Sequence, residues 1–165
     1  MTNYICINGK KAELTEEQMK ALGIELPKAS PFDRAEYNGV YYFINNTGDI
    51  TSDRDISYMS DDIRFNTANY CTNKAIMEQR ALHETLNRLL WRYSMEHDGD
   101  KIDWSSDCTS KYRIRYDGHQ KKYEVEKNQF LMEINTVYFY NCSIALNAIK
   151  DIIEPFMKAY PEFKW

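Results

Sequence analysis

A chain of 165 residues, 43% of them hydrophobic, with a formal net charge of −4, has enough apolar material for one packed domain with at most a small appendage, and needs no disulfide or metal staple. The negative balance argues against direct, sequence-independent nucleic-acid binding, which draws on a positive field to displace counterions. No apolar run approaches the roughly 18 residues that would span a membrane.

The four cysteines, Cys6, Cys71, Cys108 and Cys142, are too far apart for a zinc knuckle or a redox pair. The N-terminus lacks a cationic-then-apolar leader, so free thiols in a reducing cytoplasm are expected. Thirteen tyrosines supply most of an aromatic-rich composition. Tyrosine packs like an apolar residue but keeps a hydroxyl for water or a partner, so a half-wet sheet surface or an interface is expected.

Residues 1–26 read as a small module. Tyr4 to Ile7 is strand-like, Asn8-Gly9 is a two-residue hairpin signal, and Ala12 to Leu14 forms a short return. Thr15-Glu16-Glu17-Gln18 has capping-box form. The short helix after it should bury Met19 and Leu22 and stop at Gly23. Residues 27–36, with Pro27 and Pro31, read as a linker.

The main domain is expected over residues 37–165, in halves of about 37–98 and 100–165. Tyr37 to Ile44 is β-rich, Asn45 to Gly48 is turn chemistry, and Asp49 to Thr51 is a candidate return strand. Residues 52–62, with Asp53, Asp55, Asp61 and Asp62, read as a solvated acidic loop. From Asn73, a natural N-cap, to His97 the chain runs without proline or glycine. Ala75, Leu82, Leu86, Leu89, Leu90 and Tyr93 fall on one face of a long helix. After Gly99, Tyr112 to Tyr116 and Tyr123 to Glu126 alternate as strands around Asp117-Gly118. Thr136 to Tyr140 is strand-like, and Asn141 opens a helix striped by Ile144, Ala145, Ala148, Ile149 and Ile152. Pro155 and Pro161 should bend or end the helical run beyond that stripe.

A repeat runs through this order. Tyr42-x-Ile44-x3-Gly48 returns as Tyr112-x-Ile114-x3-Gly118, and Tyr70-x2-Asn73 returns as Tyr138-x2-Asn141. The fold class read from it is α+β: two ββα-like halves of antiparallel hairpins packed on long helices, preceded by the small hairpin and helix.

Chemistry-bearing motifs are few. His83-Glu84-Thr85-Leu86-Asn87 comes near H-E-x-x-H, but an amide does not replace the second imidazole on zinc. The aspartates of 49–62 lack EF-hand spacing. His97 and His119 are isolated, and no nucleophile elbow, P-loop or dinucleotide fingerprint occurs. Neither a catalytic set, a metal nor a cofactor is expected.

The candidate binding residues lie on strands and in the acidic loop. If Tyr42, Ile44, Tyr112, Ile114 and Tyr116 face the helices, then Tyr41, Phe43, Arg113 and Arg115 share the opposite face. Such a face suits a protein interface or stacked nucleotides. It is equally accounted for if the arginines pair across strands with Glu124 and Glu126. Asp53, Asp55, Asp61 and Asp62 could mimic a phosphate backbone. The aromatic run Phe156 to Trp165 either folds back on the core or serves as a docking tail.

Ile7-Asn8-Gly9-Lys10-Lys11-Ala12-Glu13-Leu14-Thr15-Glu16-Glu17-Gln18 resembles the opening of small phage and prophage accessory proteins of low-GC Gram-positive bacteria. Ser30-Pro31-Phe32, Tyr41-Tyr42-Phe43-Ile44, Arg64 to Tyr70, Lys101 to Trp104 and Tyr138-Phe139 continue the likeness. Cys71 stands where those proteins usually carry Phe, and Asn73 and Asn141 where they carry Ser or Thr. The resemblance implies a non-catalytic factor in the host cytoplasm that binds and inhibits a host defence protein, a CRISPR effector or other nuclease, by direct contact. A nucleotide-signal sponge using Arg113 or Arg115, or a structural or replication accessory, is the alternative.

Overall fold

The computed structural model describes residues 4–7, 10–23, 30–106, 109–129 and 132–164. The expected Asn8-Gly9 turn, residues 24–29 and Cys108 lie outside them. The chain divides into two compact units, Met1–Asp33 and Arg34–Trp165.

In the first unit, strands β1 (Tyr4–Ile7) and β2 (Lys10–Glu13) pair antiparallel, with Ile7 opposite Lys10. Helix α1 (Glu16–Ala21) opens on the expected capping box. Gln18 N–H donates to Thr15 Oγ1 at 3.3 Å, and Thr15 N–H donates to Gln18 Oε1 at 2.9 Å. Met19 is buried. Leu22 is 58% exposed, contrary to expectation, because the helix has already ended at Ala21 and the chain turns through Gly23 at φ +70°.

The second unit is an α+β fold. Strands β3 (Val40–Ile44) and β4 (Ile50–Arg54) form one hairpin. Helices α2 (Met59–Asn66) and α3 (Lys74–Glu96) come next. A 3-10 turn at Gly99–Lys101 leads to β5 (Lys111–Asp117), β6 (Lys122–Asn128) and β7 (Tyr138–Phe139), in sheet order β6-β5-β7. The chain ends in α4 (Cys142–Ala148), a π-helical stretch Ile149–Ile153, and α5 (Glu154–Ala159). The wider π turn lies just ahead of Pro155, so the helix passes a residue that would otherwise break it.

The backbone carries the repeat further than the motifs do. In the first half Tyr42 pairs antiparallel with Cys71, two residues before Asn73. In the second, Tyr112 pairs with Phe139, two residues before Asn141. Both asparagines cap their helices, accepting from the N–H of Ile76 at 3.2 Å and of Ile144 at 2.9 Å.

Helix α3 joins the halves. Met77 and Ala81 close a small core with Ile44 and Cys71, while Leu86 and Leu90 enter a larger one with Phe139, Ala145, Ile149, Ile153, Phe156 and Phe163. Each Leu, Ile, Met or Phe side chain removed from water contributes about 1.5–3 kcal/mol. The buried face of α3 is thus Met77, Ala81, Leu86, Leu90 and Ser94. Leu82, Leu89 and Tyr93 flank it, and Ala75 is exposed. The C-terminal segment folds back: Phe163 is buried against Phe156, and the Gln79 amide spans the backbone of Glu162 and Lys164 at 2.9 and 2.8 Å. Among the described residues no helix is long and apolar enough to cross a membrane.

Candidate functional site

The strand face opposite α3 does carry Tyr41 and Phe43, but it is not open. The stretch expected to be a solvated acidic loop holds the end of β4 and the start of helix α2, whose Asp61 and Arg64 lie against Tyr41 and Phe43. Tyr41 is fully buried, and Asp55 and Asp61 are buried with it. An isolated buried carboxylate is costly, so each is surrounded by donors.

Arg34 forks onto Asp55 through Nε at 2.8 Å and Nη2 at 3.0 Å, while its Nη1 reaches Asp62 at 2.6 Å. The Tyr70 hydroxyl donates to Asp55 at 2.9 Å and accepts from the Ala35 N–H at 2.9 Å. Ser57 N–H completes the Asp55 shell at 3.0 Å. Residues 34–36, expected in the linker, therefore belong to the second unit.

Asp61 accepts the N–H groups of Ile56 and Tyr58 at 3.1 and 3.0 Å, which ties down the start of α2, and the Tyr41 hydroxyl at 2.7 Å. Arg64 bonds the same Tyr41 oxygen and Asp53, and its guanidinium lies 3.7 Å from the Phe43 ring centroid. The rings of Tyr41 and Tyr70 stack at 4.1 Å.

The titration behaviour is set by these contacts. The Arg34 guanidinium, with Tyr70 and Ser57, holds Asp55 down to about 2 against the opposing effect of burial. Burial also opposes ionisation of Asp61, but the Tyr41 hydroxyl and the two backbone N–H groups outweigh it and keep it below the usual carboxylate range. Burial first, and then their aspartate partners, push Tyr41 and Tyr70 up to about 12.

This cluster is an internal clamp. Tyr41, Asp55 and Asp61 offer no surface to a partner, and half-exposed Asp53 and Asp62 are bound to Arg64 and Arg34. A phosphate-mimicking loop would need those carboxylates turned outward.

On the second hairpin the outer face is a charged ladder. Arg113, 17% exposed, bridges Glu126 and Glu133, while Arg115 lies opposite Glu124 and reaches Glu126 at 3.9 Å. The two carboxylates on Arg113 raise its pKa further, and leave it poorly placed to hold a phosphate. Lys111 is buried where Tyr41 stands in the first half. Its ammonium donates to the carbonyls of Ser106 at 2.9 Å and Gln129 at 3.2 Å.

A different surface is open. Three hollows of about 590, 470 and 380 Å3 run along the C-terminal half of α3, and Asn87 lines all three. The first is floored by core residues Leu86, Leu90, Ile114, Val137 and Phe139. The second is lined by Trp91, Met95, Trp104, Met132 and Ile134. Ile134 is 91% exposed, Met132 65% and Trp91 59%. Arg88 and Glu84 edge the third hollow.

Comparison with protein-family models, curated proteins and solved structures finds no match. The site therefore rests on its own geometry.

None of the eight residues expected at the binding surface lines this groove. The signal for it was present but weak. Trp91 interrupts the polar side of α3, and Met132 and Ile134 are apolar residues between two strands where turn chemistry would be expected. Trp104 had no role in the periodicity. It packs edge-on to Tyr138, with ring centroids 4.8 Å apart, and faces the Lys111 ammonium at 5.3 Å.

Proposed function

We propose that this protein is a non-catalytic binding factor that acts by protein–protein contact through the groove along α3 and residues 132–137. The observation that carries the reading is the exposure of Trp91, Met95, Met132 and Ile134 around one recess with Trp104. Side chains of this type left in water around a concavity are the usual anchors of an interface. The polar rim of Glu84, Asn87 and Arg88 gives such a contact its direction. In the setting implied by the resemblance to phage accessory proteins, the partner is a host protein of a defence machine, a CRISPR effector or other nuclease, and the factor inhibits it by occupying its surface.

The test is affinity capture from a bacterial host, with bound proteins and extracted small molecules both identified by mass spectrometry. Tagged wild-type protein is compared with Trp91→Ala and Ile134→Glu. One enriched defence protein, lost with either substitution, is the expected result. An enriched nucleotide with no protein would replace this reading with the sponge, and a protein captured equally by all three forms would place the contact elsewhere.

A further inference from the structure

The first hairpin leaves one backbone edge open. Tyr42 exchanges both N–H···O bonds with Cys71, at 2.8 and 3.0 Å. Ile44 does the same with the Asn69 side chain, at 2.9 and 2.8 Å. Both residues thus point their backbone groups away from β4. In an antiparallel ladder their opposite numbers Ser52 and Ile50 must point theirs away from β3. Among the described residues no strand pairs with that side of β4. The next outward residue, Arg54, already gives its N–H to Asp53 at 2.8 Å. The open edge is therefore the N–H and C=O groups of Ile50 and Ser52. No lysine, proline or bulge blunts it, whereas edge strand β6 carries Lys122, Glu124, Glu126 and Lys127.

Beside this edge lies a hollow of about 770 Å3, bounded by the 47–50 turn, the N-terminal half of α3 and residues 160–164. Ile50, Ala81 and Leu82 line it together with Asp49, Glu78, Glu162 and Lys164. Glu78 is bound by Lys74. Asp49 and Glu162 have no ion-pair partner among the described residues.

We propose that the β4 edge, with this hollow, takes an extended segment of a partner protein as an added antiparallel strand, and that the segment carries an apolar residue and a lysine or arginine on its α3-facing side. The main chain would bond Ile50 and Ser52. Alternate side chains would enter the hollow, the apolar one over Ile50 and Leu82, the cationic one toward Asp49 and Glu162. Strand addition of this kind takes affinity from the backbone and selectivity from pockets for every second side chain. The hollow draws on Ala75 to Thr85 of α3 and shares no lining residue with the groove.

The experiment titrates isotopically labelled full-length protein with a ten-residue synthetic peptide alternating valine and lysine on one face and threonine on the other. A second peptide has glutamate in place of lysine. Affinity is measured by calorimetry, and amide shifts and exchange by NMR. The lysine peptide should bind at least about tenfold more tightly than the glutamate peptide, and the Ile50 and Ser52 amides should shift and become protected. Ser52→Pro, which removes one edge donor, should weaken binding by about tenfold or more. The wild-type amide shifts decide the matter if that variant does not fold. Equal binding of the two peptides, or unmoved Ile50 and Ser52 amides, would overturn the proposal. So would concentration-dependent protection of those amides without peptide, since the occupant would then be a second copy of this chain.

Discussion

The two halves of the second unit share a backbone plan and close their outer sheet faces in different ways. In the first, Tyr41, Phe43 and Tyr70 lie under α2, fastened by Asp55, Asp61, Arg34 and Arg64. In the second, Lys111, Arg113 and Tyr138 hold the corresponding positions. They meet backbone carbonyls, two glutamates and Trp104 instead. A buried ionic clamp is costly to break and contributes less to net stability than its many bonds suggest. A half-exposed ladder of ion pairs costs little to break. The aspartate-rich stretch is thus a fastening of the first half, and the apolar groove belongs to α3 and the second.

That contrast can be broken at its strongest point first. Asp61→Ala removes the acceptor of three donors, the N–H groups of Ile56 and Tyr58 and the Tyr41 hydroxyl. It should cost about 3–5 kcal/mol in urea denaturation. A loss below about 1 kcal/mol would make the clamp no more than a surface pair.

Acid should act on the same half. A folded carboxylate pKa below the unfolded value contributes stability that is present above the unfolded pKa and lost as pH falls through the folded one. For Asp55, moved from 3.8 to about 2, the loss runs between about pH 4 and pH 2 and amounts to about 2 kcal/mol. Melting temperatures through that window, for wild type and Asp55→Asn, should converge at the acid end.

At the alkaline end the sign reverses. Tyr41 and Tyr70, raised from 10.0 to about 12, contribute stability that is complete below pH 10 and lost as pH rises toward 12. In ultraviolet difference titration these tyrosines should ionise late, and Tyr41→Phe should remove part of the late step at a cost of about 1–2 kcal/mol. The smallest effect belongs to the ladder: Arg115→Ala should change stability by less than about 1 kcal/mol and be masked by salt.

Periodicity and capping residues made the frame legible. Asn73 and Asn141 cap as their side chains dictate, Thr15 and Gln18 form their reciprocal box, and alternation placed Tyr112 and Ile114 toward the helices. The Tyr42 and Tyr112 motifs marked a repeat that the backbone pairs with Cys71 and Phe139 extend. The sites were less legible, because charge alone does not tell a solvated aspartate from a clamped one. Asp55 and Asp61 are buried only because Arg34, Tyr41 and Tyr70 come from other parts of the chain. Helix α2 was hidden for the same reason: its first-turn aspartates, good helix-start residues, read as loop until their partners were in place. The groove needed the approach of residues 132–137 to Trp91, a contact between segments some forty positions apart that no local pattern encodes.

The most direct measurement is hydrogen exchange on the complex with a captured host partner, read by mass spectrometry against the free protein. New protection is expected over residues 84–99 and 132–137, with residues 41–44 and 53–64 exchanging as before. Protection confined to residues 53–64, with the α3 groove unchanged, would contradict the groove as the binding surface and return the contact to the acidic face.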